Sequence, residues 1–232
     1  MCITSKESSL AFVTLICISM LLYIRNNKYD RIIALLFIVI SMIQFIELLY
    51  HTKNISSDNG GRALYVILLL QPLVLAIGLN NHFNSPLKAG HPQKNVSIWE
   101  SRFKTFISVW LCVYFVIFLG GLIYSTTIPF SVTKEYGHLV WSRAGENQKG
   151  IFNNTVGILY LLGLFFPFFI IQYYENWRNI GIWILLFVMV LSSVIVKIVY
   201  PGVCFSSMWC YSSVSIIFTA WLIGAFDEHK NQ

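Results

Sequence analysis

Seven continuous apolar stretches fill most of the chain: residues 8–24, 32–50, 63–79, 106–125, 156–174, 180–198 and 208–226. Each is long enough, or nearly so, to cross the hydrocarbon of a bilayer as a helix, which takes about 20 residues. The first is the shortest and needs Ser8 and Ser9 to extend it. Within hydrocarbon every backbone N–H and C=O must find a partner inside the protein, so only helices and closed barrels span it. Barrel strands alternate apolar and polar residues over about ten positions, whereas these stretches are unbroken. The pattern predicts an all-α polytopic membrane protein, with residues 1–232 forming one bundle of seven transmembrane helices.

Composition sharpens this picture. Hydrophobic residues make up 56% of the chain and charged ones 11%, against about 25% charged in soluble domains. The polar connectors reach only about 25–30 residues, too short to suggest a soluble domain. The first apolar stretch is followed by Arg25, Asn26 and Asn27 rather than a small-residue cleavage site, so it is read as a retained helix.

Net charge is +6, yet the basic residues lie scattered between the stretches with no long run. They fit membrane flanks and not a nucleic-acid partner; the expected partner is the bilayer. With the N-terminus outside and the C-terminus cytoplasmic, nine Lys and Arg residues fall inside and seven outside. That bias favours this orientation of an integral multi-pass protein.

Cysteines add little chemistry. Cys204 and Cys210 flank the last outer connector, where they form either a disulfide or two free thiols. Cys17 and Cys112 lie within stretches and read as small apolar fillers. No Cys-x-x-Cys pair occurs, so no metal and no cofactor are expected. In the last stretch Ser212, Ser215 and Thr219 recur at helical spacing, which predicts a close-packed, buried helix. Pro72 and Pro167 should kink theirs.

The candidate chemistry lies in polar groups drawn into the membrane. Gln44, Glu47 and His51 are spaced by three and four residues and share one helical face. An intramembrane carboxylate is costly, so Glu47 must be paired, protonated or facing water. Lys197 falls in the same leaflet, and Gln71 stands near mid-membrane beside Pro72. Together they outline either a polar pocket open to the outside or a buried clasp between helices. The outer connector 126–154 carries His138 and Trp141, and reads as a solvated link or as a cap over such a pocket.

Several seven-helix families do not fit. The last stretch has no lysine for a retinal Schiff base, no Asn-Pro-x-x-Tyr of G-protein-coupled receptors and no His-x-x-x-His of ceramidase-like hydrolases. Gln71-Pro72 reverses the Pro-Gln signature of the small sugar transporters. By contrast, Arg25-Asn26-Asn27-Lys28-Tyr29-Asp30-Arg31 and Met42-Ile43-Gln44-Phe45-Ile46-Glu47 resemble an uncharacterised family of seven-helix membrane proteins from large DNA viruses and algae. Leu70-Gln71-Pro72, His138-Leu139-Val140-Trp141 and Ser207-Met208-Trp209-Cys210 follow the same pattern. The resemblance implies the topology but no activity, and the membrane is expected to be a plasma, internal or viral one.

The expectation is a channel or transporter for a small ion, protons among the candidates, centred on Glu47. The alternatives are a seven-helix receptor or ligand-binding module, and a structural or assembly protein of a viral or internal membrane. A homo-oligomer is compatible with either. An enzyme is disfavoured, since no nucleophile–base pair or metal-ligand spacing is evident.

Overall fold

A computed structural model of the chain describes residues 4–26, 30–84, 98–135, 138–143, 162–163, 191 and 213–222. These residues are mostly helical: α1 (Ser5–Arg25), α2 (Asp30–His51), α3 (Ser57–Asn84) and α4 (Ile98–Thr127), followed by strands β1 (Phe130–Glu135) and β2 (His138–Arg143). All four helices are long and apolar enough to cross a membrane. A shorter apolar helix runs over Ser213–Leu222. The stretches 156–174 and 180–198 lie outside the described residues but for isolated positions.

The helices begin and end for local reasons. Thr4 opens α1 with a capping box, accepting from the Glu7 backbone N–H while the Glu7 carboxylate accepts from its own. Asn26 closes α1 at φ 56°, a left-handed position that asparagine tolerates, and its N–H donates to the Leu22 carbonyl at 3.1 Å. Only residues 26–29 separate α1 from α2, and residues 52–56 separate α2 from α3. Connections this short force antiparallel neighbours.

α2 and α3 form the centre. Their spanning windows are 56% and 61% buried, against 22% for α1 and 17% for α4. Small residues set the approach of the helices. Ile32 of α2 lies against Gly78 of α3, and Leu69 of α3 lies against Gly121 of α4. Ser8 and Ser19 bring α1 into the core alongside Leu15 and Leu22. The outward faces of α1 and α4 carry Ile24, Val116 and Ile123, a surface suited to lipid. Cys17 and Cys112 are exposed on these helices, so they do not fill the core as expected.

The last helix also turns differently from its sequence reading. Ser213, Ile216, Ile217 and Ala220 are buried, Ser215 is exposed and Thr219 is half-buried. The Thr219 hydroxyl donates to the Ser215 carbonyl of its own helix at 2.8 Å. Having satisfied its hydrogen bond locally, it needs no neighbouring helix. Packing instead selects the apolar face beside it.

The connector after α4 is a further departure. It holds an antiparallel hairpin in the register Phe130↔Arg143, Val132↔Trp141 and Glu135↔His138. A lone two-stranded hairpin is marginal in water and needs a surface to pack on. Here Phe130, Leu139 and Trp141 are buried against the bundle. Two adjacent glycines make room at the start of α3. A Cβ at Gly60 would fall 2.6 Å from the Trp141 ring, and one at Gly61 would collide with Phe130.

Candidate functional site

The polar face of α2 is real and enclosed. Gln44 and Glu47 are 0% exposed, as is Ser41 one turn further along; His51, at the helix end, is half-buried. Ser41 returns its hydroxyl to the Ile38 carbonyl at 2.6 Å. Gln71 of α3 is 1% exposed. It continues the face of Leu64, Leu68 and Leu75, which belong to the same core cluster as Ile40 and Ile43 of α2.

Depth follows from helix geometry. Measured from His51 at 1.5 Å per residue, Glu47 lies about 6 Å down the axis, Gln44 about 10 Å and Ser41 about 15 Å. α3 starts at the same end, joined to α2 by residues 52–56, so Gln71 lies about 21 Å down. The polar groups therefore descend as a staggered file and not as one cluster at one level. Nor does the file stand open to the outside.

Burial leaves some of the hydrogen-bonding capacity unused. Gln44 Nε2, Glu47 Oε1 and Gln71 Nε2 are buried without a hydrogen-bond partner, although each of the three side chains interacts through other atoms. Leaving such atoms dry is costly.

Above the file sits the hairpin. Trp141 is 3% exposed and meets Tyr50 edge to face, with ring centroids 5.2 Å apart. Tyr50 is one turn above Glu47 on α2. His138, in contrast, pairs in register with Glu135 beside the hairpin turn, about 10 Å along the strand from Trp141. The backbones of the two outer-connector candidates thus stand at different levels of β2.

A latch that the sequence reading did not single out holds the hairpin down. Asp58 Oδ1 accepts from the Phe130 backbone N–H at 2.9 Å. Its other oxygen pairs with Arg62, 2.9 Å away, and Arg62 also donates to the Thr126 carbonyl at 3.2 Å. Asp58 and Arg62 precede the apolar stretch 63–79 and so stand outside the hydrocarbon. The Phe130 N–H, and after it the Arg62 guanidinium, hold the Asp58 carboxyl below the usual aspartate range. The signal was an Asp and an Arg four residues apart in the first turns of a helix.

The opposite end of the bundle carries a second clasp. Arg25 grips Asp30 through two hydrogen bonds, 2.6 Å from Nε and 2.8 Å from Nη2, and donates from Nη1 to the Trp221 carbonyl at 2.6 Å. It ties α1, α2 and the last helix together. Asp30 thus answers a buried cation.

Lys197, Cys204 and Cys210 lie outside the described residues. Among the described residues no three His, Cys, Asp or Glu side chains gather as a metal site. Compared with models of protein families, with curated protein sequences and with solved structures, the chain matches none.

Proposed function

We propose that the protein conducts or transports a small ion, protons first, through the polar file on α2, with Glu47 as the group that takes up and releases it. The observation that carries this is the complete burial of Glu47 between Gln44 and His51 on one helix face. An ionisable group is rarely kept inside a membrane bundle unless it serves a pathway. The arrangement supports stepwise passage: His51 at the mouth, Glu47 and Gln44 below it, Ser41 and Gln71 deeper. Each is a group that exchanges or orients protons and water. Lys197, in the same leaflet by sequence, would set the resting charge.

The same proposal takes the bundle to seven spans with the N-terminus outside. The hydrogen bond from Arg25, at the far end of α1, to the last helix supports an odd number of crossings.

Reconstituted in liposomes under a pH gradient and a potassium gradient, the wild type should pass protons or alkali cations. Glu47→Gln should reduce that flux at least tenfold. No flux from the wild type, with Glu47→Gln merely lowering the melting temperature, would sink the proposal and make the file a structural clasp.

A further inference from the structure

We infer that the β1–β2 hairpin is a hinged closure over the outer end of the α2 file, with Trp141 as the plug and Asp58 as its latch. The inference rests on the conduction proposal for its purpose, while the closure itself can be tested without measuring flux.

Three observations converge on it. First, the plug is placed over the file. Trp141 leans on Tyr50, one turn above Glu47, and enters α3 at Gly60. Gly60 lies about 5 Å below the start of its helix, close to the depth of Glu47 on α2. Second, the plug is held by few polar bonds. Trp141 Nε1 is buried with no hydrogen-bond partner, so the closed position leaves an indole donor dry. Opening would return it to water. Third, among the described residues the base of β1 is bonded at a solvent-reachable place. Asp58 accepts the first backbone N–H of β1, and Arg62 holds both Asp58 and the end of α4. The side chains of Asp58 and Arg62 are 40% and 35% exposed, so solvent reaches the latch. Opening would swing the hairpin about the α4–β1 junction and expose Phe130 and Leu139 together with Trp141.

The test compares full-length wild type with Asp58→Asn in lipid nanodiscs, where both faces meet the solvent. A water-soluble carbodiimide with an amine nucleophile probes Glu47, and peptide mass spectrometry reads its rate of modification. Glu7, at the same end of the bundle, is the reference. Hydrogen exchange of the β1 and β2 amides is followed in parallel. The closure predicts that Asp58→Asn speeds hairpin exchange and raises modification of Glu47 at least tenfold, with Glu7 unchanged. Faster hairpin exchange with Glu47 still protected would overturn it, because the helices alone would then seal the file. Unchanged hairpin exchange would also overturn it, since Asp58 would not be the latch. Glu47 unmasked in a protein that passes no ions would retain the closure and remove the conduction proposal. Flux with Glu47 never unmasked would do the reverse.

Discussion

At the scale of single residues, the two acidic groups that matter differ in solvent access. Glu47 is sealed in the bundle. Asp58 faces the Phe130 N–H on β1 and the Arg62 guanidinium on its own helix, and both favour its charged form. A carboxyl whose folded value is depressed contributes stability that is present above its unfolded value and is lost as pH falls through the folded one. Hairpin docking should therefore be constant through the neutral range and weaken below about pH 4, the ordinary aspartate value. The emission of Trp141 should shift to the red as it leaves its buried seat. In Asp58→Asn the shift should be present at neutral pH, with no further acid step. An acid step that survives in the variant would assign the change to another group.

At the scale of elements, the Arg25–Asp30 clasp decides how α1 and α2 meet the last helix. Its side chains are only 11% and 8% exposed, so removing one partner strands the other away from water. Breaking a buried pair in this way costs about 3 kcal/mol. For a chain of this size that is a fall in Tm of roughly 6–12 °C for Asp30→Asn. The double variant Asp30→Asn, Arg25→Met should lose less, because no charge is left stranded; thermal unfolding in detergent would show it. A double variant as unstable as the single one would mean that Arg25 acts chiefly through Trp221.

The elements also show what could be read from residues alone. Hydropathy located α1 and α2 to within about three residues, because length and apolarity are what a bilayer selects, while α3 and α4 begin six and eight residues before their apolar stretches, in polar turns that hydropathy cannot see. Helical spacing likewise placed Gln44, Glu47 and His51 on one face. It could not say which face of a helix turns inward when nearly every position is apolar, and so Cys17, Cys112 and Ser215 were misplaced. Lipid and core attract the same side chains, and only packing separates them. The hairpin was legible but passed over. Phe130 and Val132, then Leu139 and Trp141, alternate with their neighbours at period two across Tyr136-Gly137. Its charged residues made it look like a solvated link. The Asp58–Phe130 bond joins residues 72 apart in sequence, and no local pattern announces it.

At the scale of the whole molecule, the two clasps fix the sides of the bundle. α1 starts, α2 ends, α3 starts and α4 ends at the hairpin's face, as the Arg62–Thr126 and Tyr50–Trp141 contacts require. The far end of α1 bonds the last turn of Ser213–Leu222 through Arg25 and Trp221. That helix is packed into the same core through Ile216 and Ile217, so it runs in the direction of α1. The chain must return to the hairpin's face before residue 213, which leaves either no crossings or a pair of them between β2 and the last helix. Both apolar stretches there, 156–174 and 180–198, have the length of a span, and two spans satisfy the constraint where one would not. The proposed seven spans would place the connector 175–179 on the C-terminal side. An Asn176→Cys variant on a cysteine-free background should be labelled by an impermeant maleimide only from the face that also exposes a C-terminal tag. An N-terminal tag should be reached only from the other face. Labelling of position 176 from the N-terminal face would reduce the bundle to five spans and leave the stretches 156–174 and 180–198 outside the bilayer. Tags reached from one common face would break the parity that the Arg25–Trp221 bond implies.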